Sequence, residues 1–163
     1  MDQDLDGGPE AEASRSGHLP TFYRSEYPGM VRLAHSLTGN PETAEDVVQE
    51  AFTRIHVRFD KLDNPAGYLR STVVNICRDK SRRGQRAERI ALRLPPGTAL
   101  SLGASELVDV LLRLPYRQRA VLVLRYWGDW SESEIAEALH CRQGTVKTLA
   151  SRGLARIKRE MVR

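Results

Sequence analysis

The segment between residues 130 and 159 constrains the fold more than any other part of the chain. Ser131 begins a capping box, because its side chain can accept a hydrogen bond from the amide of Glu134, whose carboxylate can reach back. A short turn at residues 140–142 follows, and a second helix is predicted to start near Gln143. This spacing is typical of a helix-turn-helix, in which the second helix enters the major groove of DNA.

The last predicted helix has an apolar arc and a cationic face. On a helical wheel the apolar positions fall within about 140° of arc, and they are Val146, Leu149, Ala150, Gly153, Leu154, Ile157 and Met161. Residues 145–163 hold six cations and one acid, whereas a merely solvated helix would mix charges to form ion pairs one turn apart. Hydroxyls and cations on a groove-sized face can contact bases and phosphates. We therefore predict DNA contacts from Thr145, Lys147, Thr148, Ser151, Arg152 and Arg156.

The remainder of the chain is also predicted to be helical. Asn40-Pro41 and Asn64-Pro65 each place an N-cap residue before a proline at the first helical position. They separate helices that we expect at about 21–37, 41–59 and 65–83, and three such helices can form a bundle. Strand patterns of useful length are absent from the sequence. The predicted fold class is all-α, with two small helical domains joined by a flexible linker and the second ending in the helix-turn-helix.

Composition sets the expected domain boundaries. Residues 1–18 are acidic and lack apolar periodicity, which predicts a disordered tail. The first helical domain is expected at 19–83. Residues 84–104 include Pro95-Pro96, which cannot continue a helix, and this segment is the predicted linker. The helix-turn-helix domain is expected at 105–163.

Charge is distributed unevenly along the chain. The net charge is +4, but residues 1–18 hold five acids against Arg15, so residues 19–163 carry +8. A basic body favours a polyanionic partner, although mild basicity also serves solubility. The sequence has no apolar stretch near the roughly 18 residues that a membrane span needs, and its first residues lack the basic head and apolar run of a signal peptide. We therefore expect a cytoplasmic protein without membrane contacts.

Patterns typical of catalytic, metal or cofactor sites are absent from the sequence. Cys77 and Cys141 lie far apart without a C-x-x-C spacing, so we expect a small buried hydrophobe and a turn residue. The histidines are scattered, with no paired carboxylates or nucleophile motif beside them: His18, His35, His56 and His140. We expect no catalytic residue, no metal and no cofactor, and hence a protein that is not an enzyme.

Two blocks of motifs resemble those of the extracytoplasmic-function (ECF) sigma factors of bacterial RNA polymerase. Residues 22–83 resemble the promoter-melting domain, and within them residues 44–52 resemble the polymerase-clamp motif. The motif that resembles the −10 recognition helix comprises Pro65, Tyr68-Leu69, Val73-Val74-Asn75, Asp79, Arg82 and Arg83. The residues at 105–160 that resemble the −35 domain are Leu114-Pro115, Arg119, Leu124-Arg125-Tyr126, Ser131, Glu134-Ile135-Ala136 and Gly144-Thr145-Val146-Lys147. The chain is similar in particular to the actinobacterial SigE-like group.

The resemblance implies a function and three partners. Members of the family bind core RNA polymerase, recognise the −10 and −35 promoter elements and start transcription of a regulon, and an anti-sigma factor is a common further partner. Contacts with the clamp helices of the polymerase are expected from Glu45, Asp46, Gln49 and Glu50. Contacts with the −10 element of promoter DNA are expected from Lys61, Asp63, Asn64, Asn75, Arg78, Asp79, Arg82 and Arg83.

Other interpretations are open at this point. Glu45 and Asp46 lie near the start of their helix, where acids also stabilise the helix dipole, but Gln49 and Glu50 lie a turn further on. A stand-alone helix-turn-helix transcription regulator is the alternative function. It shares the C-terminal motifs and leaves the N-terminal block unexplained. The sequence differs from the common family pattern in two places. Tyr68 stands where many members have Trp, and Thr148-Leu149-Ala150 replaces the common Ser-Arg-Leu or Ser-Gln-Ala type.

Overall fold

The computed structural model describes residues 18–91 and 106–162, with side chains described for 18–84 and 109–162. The described part is helical, and the α-helices are α1 (His18–Thr38), α2 (Pro41–His56), α3 (Pro65–Ala91), α4 (Glu106–Leu112), α5 (Tyr116–Tyr126), α6 (Glu132–Ala138) and α7 (Gln143–Met161). A 3-10 turn at Phe59–Lys61 lies between α2 and α3. The all-α prediction is confirmed. The predicted tail before residue 18 and residues 92–105 of the predicted linker region lie outside the described residues.

Helices α1, α2 and α3 form the N-terminal bundle. The Asn40 side chain accepts a hydrogen bond from the Thr43 amide at 2.8 Å and caps α2. In the same way the Asn64 side chain accepts from the Gly67 amide at 2.9 Å at the start of α3. Both predicted helix starts are therefore confirmed. The face of α2 that points into the bundle consists of Ala44, Val47, Val48, Ala51, Phe52 and Ile55.

The helix ends differ from those predicted. Helix α1 begins at His18 and α2 stops at His56, because the chain turns into the 3-10 helix at Phe59. Helix α3 continues to Ala91, beyond its predicted end at residue 83. The added segment after Gly84 consists mostly of good helix formers, which explains why the basic run does not end the helix. The proposed domain limits at 19–83, 84–104 and 105–163 stay predictions.

Helices α5, α6 and α7 form the helix-turn-helix part of the C-terminal domain. The capping box is present: the Ser131 hydroxyl accepts from the Glu134 amide at 3.2 Å, and the Glu134 carboxylate accepts from the Ser131 amide at 2.8 Å. His140 adopts a positive φ of 50° in the turn before α7. Helix α7 begins at Gln143, as predicted.

One part of the predicted apolar arc on α7 is wrong. Val146, Ala150 and Gly153 are buried, but Leu154 and Met161 are 45% and 72% exposed. A helical wheel shows only the direction in which a side chain points, whereas burial also requires a neighbouring helix that covers the side chain. Helix α6 has seven residues and α7 has nineteen, so the later turns of α7 extend past it.

Removal of the cap hydroxyl should destabilise the C-terminal domain. Ser131→Ala is expected to cost about 1 kcal/mol of unfolding free energy, because one amide at the start of α6 loses its partner. Urea denaturation followed by circular dichroism measures this loss, with Ser133→Ala on the same helix as the control. Equal denaturation midpoints for both variants would contradict the prediction.

The Glu134 carboxyl adds a pH dependence to the same cap. Hydrogen bonds from Ser131 hold the pKa of the Glu134 carboxyl below its usual range. The carboxylate therefore stabilises the fold above the unfolded-state pKa of about 4.3, and this contribution is lost as the pH falls through the folded-state pKa.

The two helical parts pack against each other. Helices α1 and α3 contact α5, α1 also contacts α4, and α3 also contacts α6. The buried apolar side chains of both parts belong to one continuous cluster. Among the described side chains, one hydrogen bond crosses the boundary: the Tyr116 hydroxyl at the start of α5 donates to the Val74 carbonyl of α3 at 2.8 Å.

Candidate nucleic-acid interface

The predicted DNA-reading residues lie on an exposed side of α7. Lys147, Thr148, Ser151, Arg152 and Arg156 are exposed, and Thr145 at the start of the helix is partly buried. Within the described residues, Arg152 and Arg156 form no ion pair. The Lys147 ammonium lies 3.7 Å from the Glu132 carboxylate of α6, and the Thr148 hydroxyl donates to the Gly144 carbonyl. The two arginines are therefore available to bases or phosphates.

The opposite side of α7 holds the helix firmly on α5. Gly153 is buried, and a Cβ atom added there would lie 2.9 Å from a methyl group of Leu122. The absence of a side chain thus permits close approach of the two helices. Val146 is fully buried and Ala150 is 4% exposed on the same side. The reading face is consequently supported by tightly packed helices rather than by a loop.

The residues predicted for the −10 element lie on α3 and on the segment before it. Asn75 and Arg78 are partly buried, and the others are exposed: Lys61, Asp63, Asn64, Asp79, Arg82 and Arg83. Asn75 Oδ1 and Arg78 Nε are buried without a hydrogen-bond partner among the described residues. Arg78 Nε lies 3.6 Å from Asp79 Oδ1. Both atoms are enclosed by the surrounding protein, so another molecule can reach them only if the neighbouring groups move.

The acidic face predicted on α2 is present. Glu45, Asp46, Gln49 and Glu50 are all exposed, opposite the side that faces the bundle. Glu50 pairs with Arg54 at 2.6 Å one turn later. The face therefore combines three carboxylates with one amide and is open to a cationic partner.

Sequence reasoning missed two phenols beside this acidic face. The Gln49 amide donates to the hydroxyls of Tyr23 and Tyr27 of α1, at 3.3 and 3.5 Å. The two tyrosine rings stack with centroids 5.0 Å apart and pack against Phe52. Their spacing of four residues, one helical turn, is a signal in the sequence that places both on one side of α1.

A buried arginine is the second feature that the sequence analysis left unassigned. Arg119 is 7% exposed, and its guanidinium donates to the carbonyls of Leu112 and Leu114 at 3.1 and 3.3 Å. It also lies over the Tyr116 ring, 5.5 Å from the centroid. Burial lowers the pKa of Arg119. The side chain thus fixes the turn between α4 and α5 and positions Tyr116.

The cysteines occupy the places expected for them. Cys77 is fully buried, and burial raises the pKa of its thiol to about 12, so the thiol stays protonated at neutral pH. Cys141 is partly buried in the turn before α7. In the described ranges, no group of three or more His, Cys, Asp or Glu side chains is placed to hold a metal ion. Across 18–91 and 106–162, no helix is long and apolar enough to cross a membrane.

The geometry defines a DNA-binding transcription protein, in which a helical bundle with an acidic face precedes a helix-turn-helix with a cationic one. Comparison with protein families specifies the class. The family model described as Sigma-70 region 2 matches residues 22–87, and the one described as Sigma-70, region 4 matches residues 104–157. Together they cover both described helical parts of the chain.

Individual relatives agree with these family matches. The RNA polymerase sigma-E factor of Streptomyces coelicolor is 31% identical over 150 residues, covering 86% of this chain and 84% of the relative. The ECF RNA polymerase sigma factor SigW of Bacillus subtilis is 29% identical over 80% of this chain and 81% of its own length.

Solved structures share the fold. The sigma factor RpoE of Bartonella quintana, in complex with the anti-sigma factor NepR, has a TM-score of 0.70 and 21% identity, covering 86% of this chain and 94% of that chain. CnrH in complex with the cytosolic domain of CnrY has a TM-score of 0.67 and 20% identity, covering 93% and 92%.

The chain therefore belongs to the ECF sigma factors, the subunits of bacterial RNA polymerase that bind promoters and initiate transcription. Proteins of this family are not enzymes in their own right, so the absence of a catalytic motif in the sequence agrees with the assignment. The resemblance inferred from the two motif blocks is confirmed.

Proposed function

We propose that this sigma factor binds its partners through three separate surfaces. An acidic face on α2 binds core polymerase, the α3 region captures a DNA strand of the −10 element, and the α7 face reads the −35 element. The observation that supports this division most is the separation of charge. Acids predominate among the exposed charges of α2, whereas cations predominate among those of α3 and α7. The domain limits at 19–83, 84–104 and 105–163 belong to the same proposal.

The acidic face fits the clamp helices of core polymerase. Glu45, Asp46, Gln49 and Glu50 form a continuous exposed strip, which is favourable for association with a basic surface. Helix-dipole stabilisation explains acids in the first turn of α2 only, since the effect falls off within that turn. Glu50 lies beyond it and is exposed.

The α3 region fits capture of a DNA strand. Promoter melting requires bases to leave the stack, which costs a few kcal/mol per base and is offset by protein contacts. Arg78, Arg82 and Arg83 supply cations for the phosphates, and the Asn75 oxygen has no partner among the described residues. We assign Lys61, Asp63, Asn64 and Asp79 to the same surface, with Asn64 Oδ1 also capping α3.

Arg152 gives the assignment of the α7 face a direct test. Arg152→Ala should weaken promoter binding by the reconstituted holoenzyme by about 1–3 kcal/mol, if its guanidinium pairs with a base edge. A phosphate contact would instead weaken binding to all sequences alike. It would also reduce the slope of log binding constant against log salt concentration by about one, because one fewer counterion is released on binding. Electrophoretic mobility shifts on promoters that vary in the −35 element measure both effects. Arg24→Ala, which removes an exposed cation on α1, is the control. Equal binding by both variants would remove Arg152 from the interface.

We further infer that the chain acts in the cytoplasm and that an anti-sigma factor controls it. Two structurally similar proteins are in complexes with other proteins: the sigma factor RpoE with the anti-sigma factor NepR, and CnrH with the cytosolic domain of CnrY. The family relation and the similar fold support the same class of partner here.

Co-purification with core polymerase tests the proposed mode of action. The full chain should bind purified core polymerase, and it should shift promoter DNA strongly only when that polymerase is present. Tight and sequence-specific binding to DNA without polymerase, together with no binding to polymerase, would instead favour a stand-alone regulator.

A further inference from the structure

A cleft of about 480 Å³ lies where the start of α5 approaches α3, and arginines line it from both helices. Arg78 and Arg82 belong to α3, and Arg117 belongs to α5. Among the described residues that line this cleft there is no aspartate or glutamate. The cleft therefore gathers three guanidinium groups without a lining carboxylate to balance their charge.

The ion pairs of the described residues leave most of this charge unbalanced. Arg78 Nε lies 3.6 Å from Asp79 Oδ1, and this pair is the one carboxylate contact of the three arginines in the described ranges. Arg82 and Arg117 form no ion pair there. A cleft lined by charges of one sign focuses the electrostatic field and concentrates ions of the opposite sign. The cleft therefore favours an anion.

Arg117 is held in position by the turn that precedes α7. Its guanidinium donates to the Leu139 carbonyl at 3.2 Å, although the residue as a whole is exposed. A guanidinium has five N–H donors, and this is the hydrogen bond that Arg117 makes among the described residues. Guanidinium groups bind phosphate oxygens in pairs, with two parallel hydrogen bonds. Arg117 is thus oriented and still has donors for a phosphate group.

The first turn of α5 adds partial positive charge at the same cleft. The residues with which this helix starts all line the cleft, and they are Pro115, Tyr116, Arg117 and Gln118. In the described part of the chain no side chain caps α5. Backbone N–H groups at the start of a helix favour negative charge. The start of α5 therefore adds to the attraction that the arginines exert on an anion.

The remaining walls of the cleft suit an organic group attached to phosphate. Pro115, Leu139 and Leu149 supply apolar surface, and Ser81 and His140 supply further hydrogen-bonding groups. The volume of about 480 Å³ lies within the range of about 300–1,000 Å³ that is typical of small-molecule sites. Size and lining together favour a molecule as large as a nucleotide over a single phosphate ion.

We propose that this cleft is a binding site for a small oligophosphate anion, either free or as the phosphate chain of a nucleotide. Its phosphate oxygens pair with the guanidinium groups of Arg78, Arg82 and Arg117. This binding activity goes beyond promoter recognition and does not depend on it. Arg78 and Arg82 are also assigned to the −10 strand, whereas Arg117 is not. Arg117 is therefore the residue that distinguishes a small-anion site from a surface for DNA alone.

Isothermal titration calorimetry of the full chain, in magnesium-free buffer, tests the site with sodium tripolyphosphate and separately with ATP. Each probe should bind with one anion per chain. Arg117→Gln removes one guanidinium and its charge-assisted hydrogen bonds, so it should weaken binding of both probes at least about tenfold. Arg82→Gln should weaken it in the same way. Tighter binding of ATP than of tripolyphosphate would identify a nucleotide as the ligand, and equal binding would identify a free oligophosphate.

Arg24→Gln is the matched control, because it removes an exposed cation on α1 and lowers the net charge by the same amount. It should bind both probes like the wild type. Since Arg24, Arg82 and Arg117 are all exposed, helical circular dichroism should be the same for the three variants. Any of three results would overturn the proposal. The first is no binding of either probe by the folded wild-type chain. The second is an equal loss in Arg117→Gln and Arg24→Gln, which would show that binding follows net charge. The third is a loss in Arg82→Gln without one in Arg117→Gln, which would leave the cations of α3 to the DNA strand alone.

Discussion

Reversing the charges of Asp46 and Glu50 is expected to abolish binding to core RNA polymerase. Asp46→Arg with Glu50→Arg turns part of the acidic face of α2 into a basic one, and like charges brought together across an interface cost several kcal/mol. The affinity should fall at least about a hundredfold, since each 1.4 kcal/mol is a factor of ten. Fluorescence anisotropy with labelled chain and purified core polymerase measures the change.

The fold should survive this double substitution. Both side chains are exposed, and the Glu50–Arg54 ion pair that is lost is a surface pair one turn apart, worth about 0.3–0.5 kcal/mol. Helical circular dichroism should therefore be unchanged. Asp109→Arg reverses an exposed acid in the C-terminal domain and is the matched control. Unchanged affinity in a correctly folded double variant would remove the clamp assignment.

Alanine at Asn75 and Arg82 should impair promoter opening more than closed-complex binding. Both residues lie on α3, where Asn75 offers an oxygen that lacks a partner in the described residues and Arg82 an exposed cation. Loss of one contact to a captured base corresponds to about 1–3 kcal/mol, or roughly a five- to 150-fold decrease in the equilibrium constant for opening. Permanganate footprinting of unpaired thymines reports opening, and mobility shifts report closed-complex binding.

An exposed arginine away from the proposed surface controls for charge in this experiment. Arg24→Ala on α1 should leave permanganate reactivity as in the wild type. If both the Asn75→Ala and Arg82→Ala variants open promoters normally, the strand-capture site lies elsewhere in the chain.

Features that depend on local chemistry were predictable from the sequence. The Asn40 cap and the Ser131–Glu134 box depend on residues three positions apart, and both form as expected. The acidic face of α2 follows from the helical period, since Glu45, Asp46, Gln49 and Glu50 lie off the apolar stripe and all are exposed.

Features that depend on distant packing were not predictable in the same way. Leu154 and Met161 follow the apolar period of α7 yet are exposed, since a period does not specify how far a neighbouring helix extends. Leu149 is partly buried at the edge of the same arc. The contact between Tyr116 and Val74 joins residues 42 positions apart, and local sequence patterns carry no signal for it.

Run-off transcription with purified core polymerase on a library of promoters tests whether this chain directs initiation through two promoter elements. Adding the full chain should produce transcripts from a subset of promoters that share a −35 and a −10 element. Core polymerase alone should produce none from these sites, and Asp46→Arg with Glu50→Arg should eliminate the transcripts. If a correctly folded chain and active core polymerase give no promoter-specific transcripts, the chain does not act on promoters in this way.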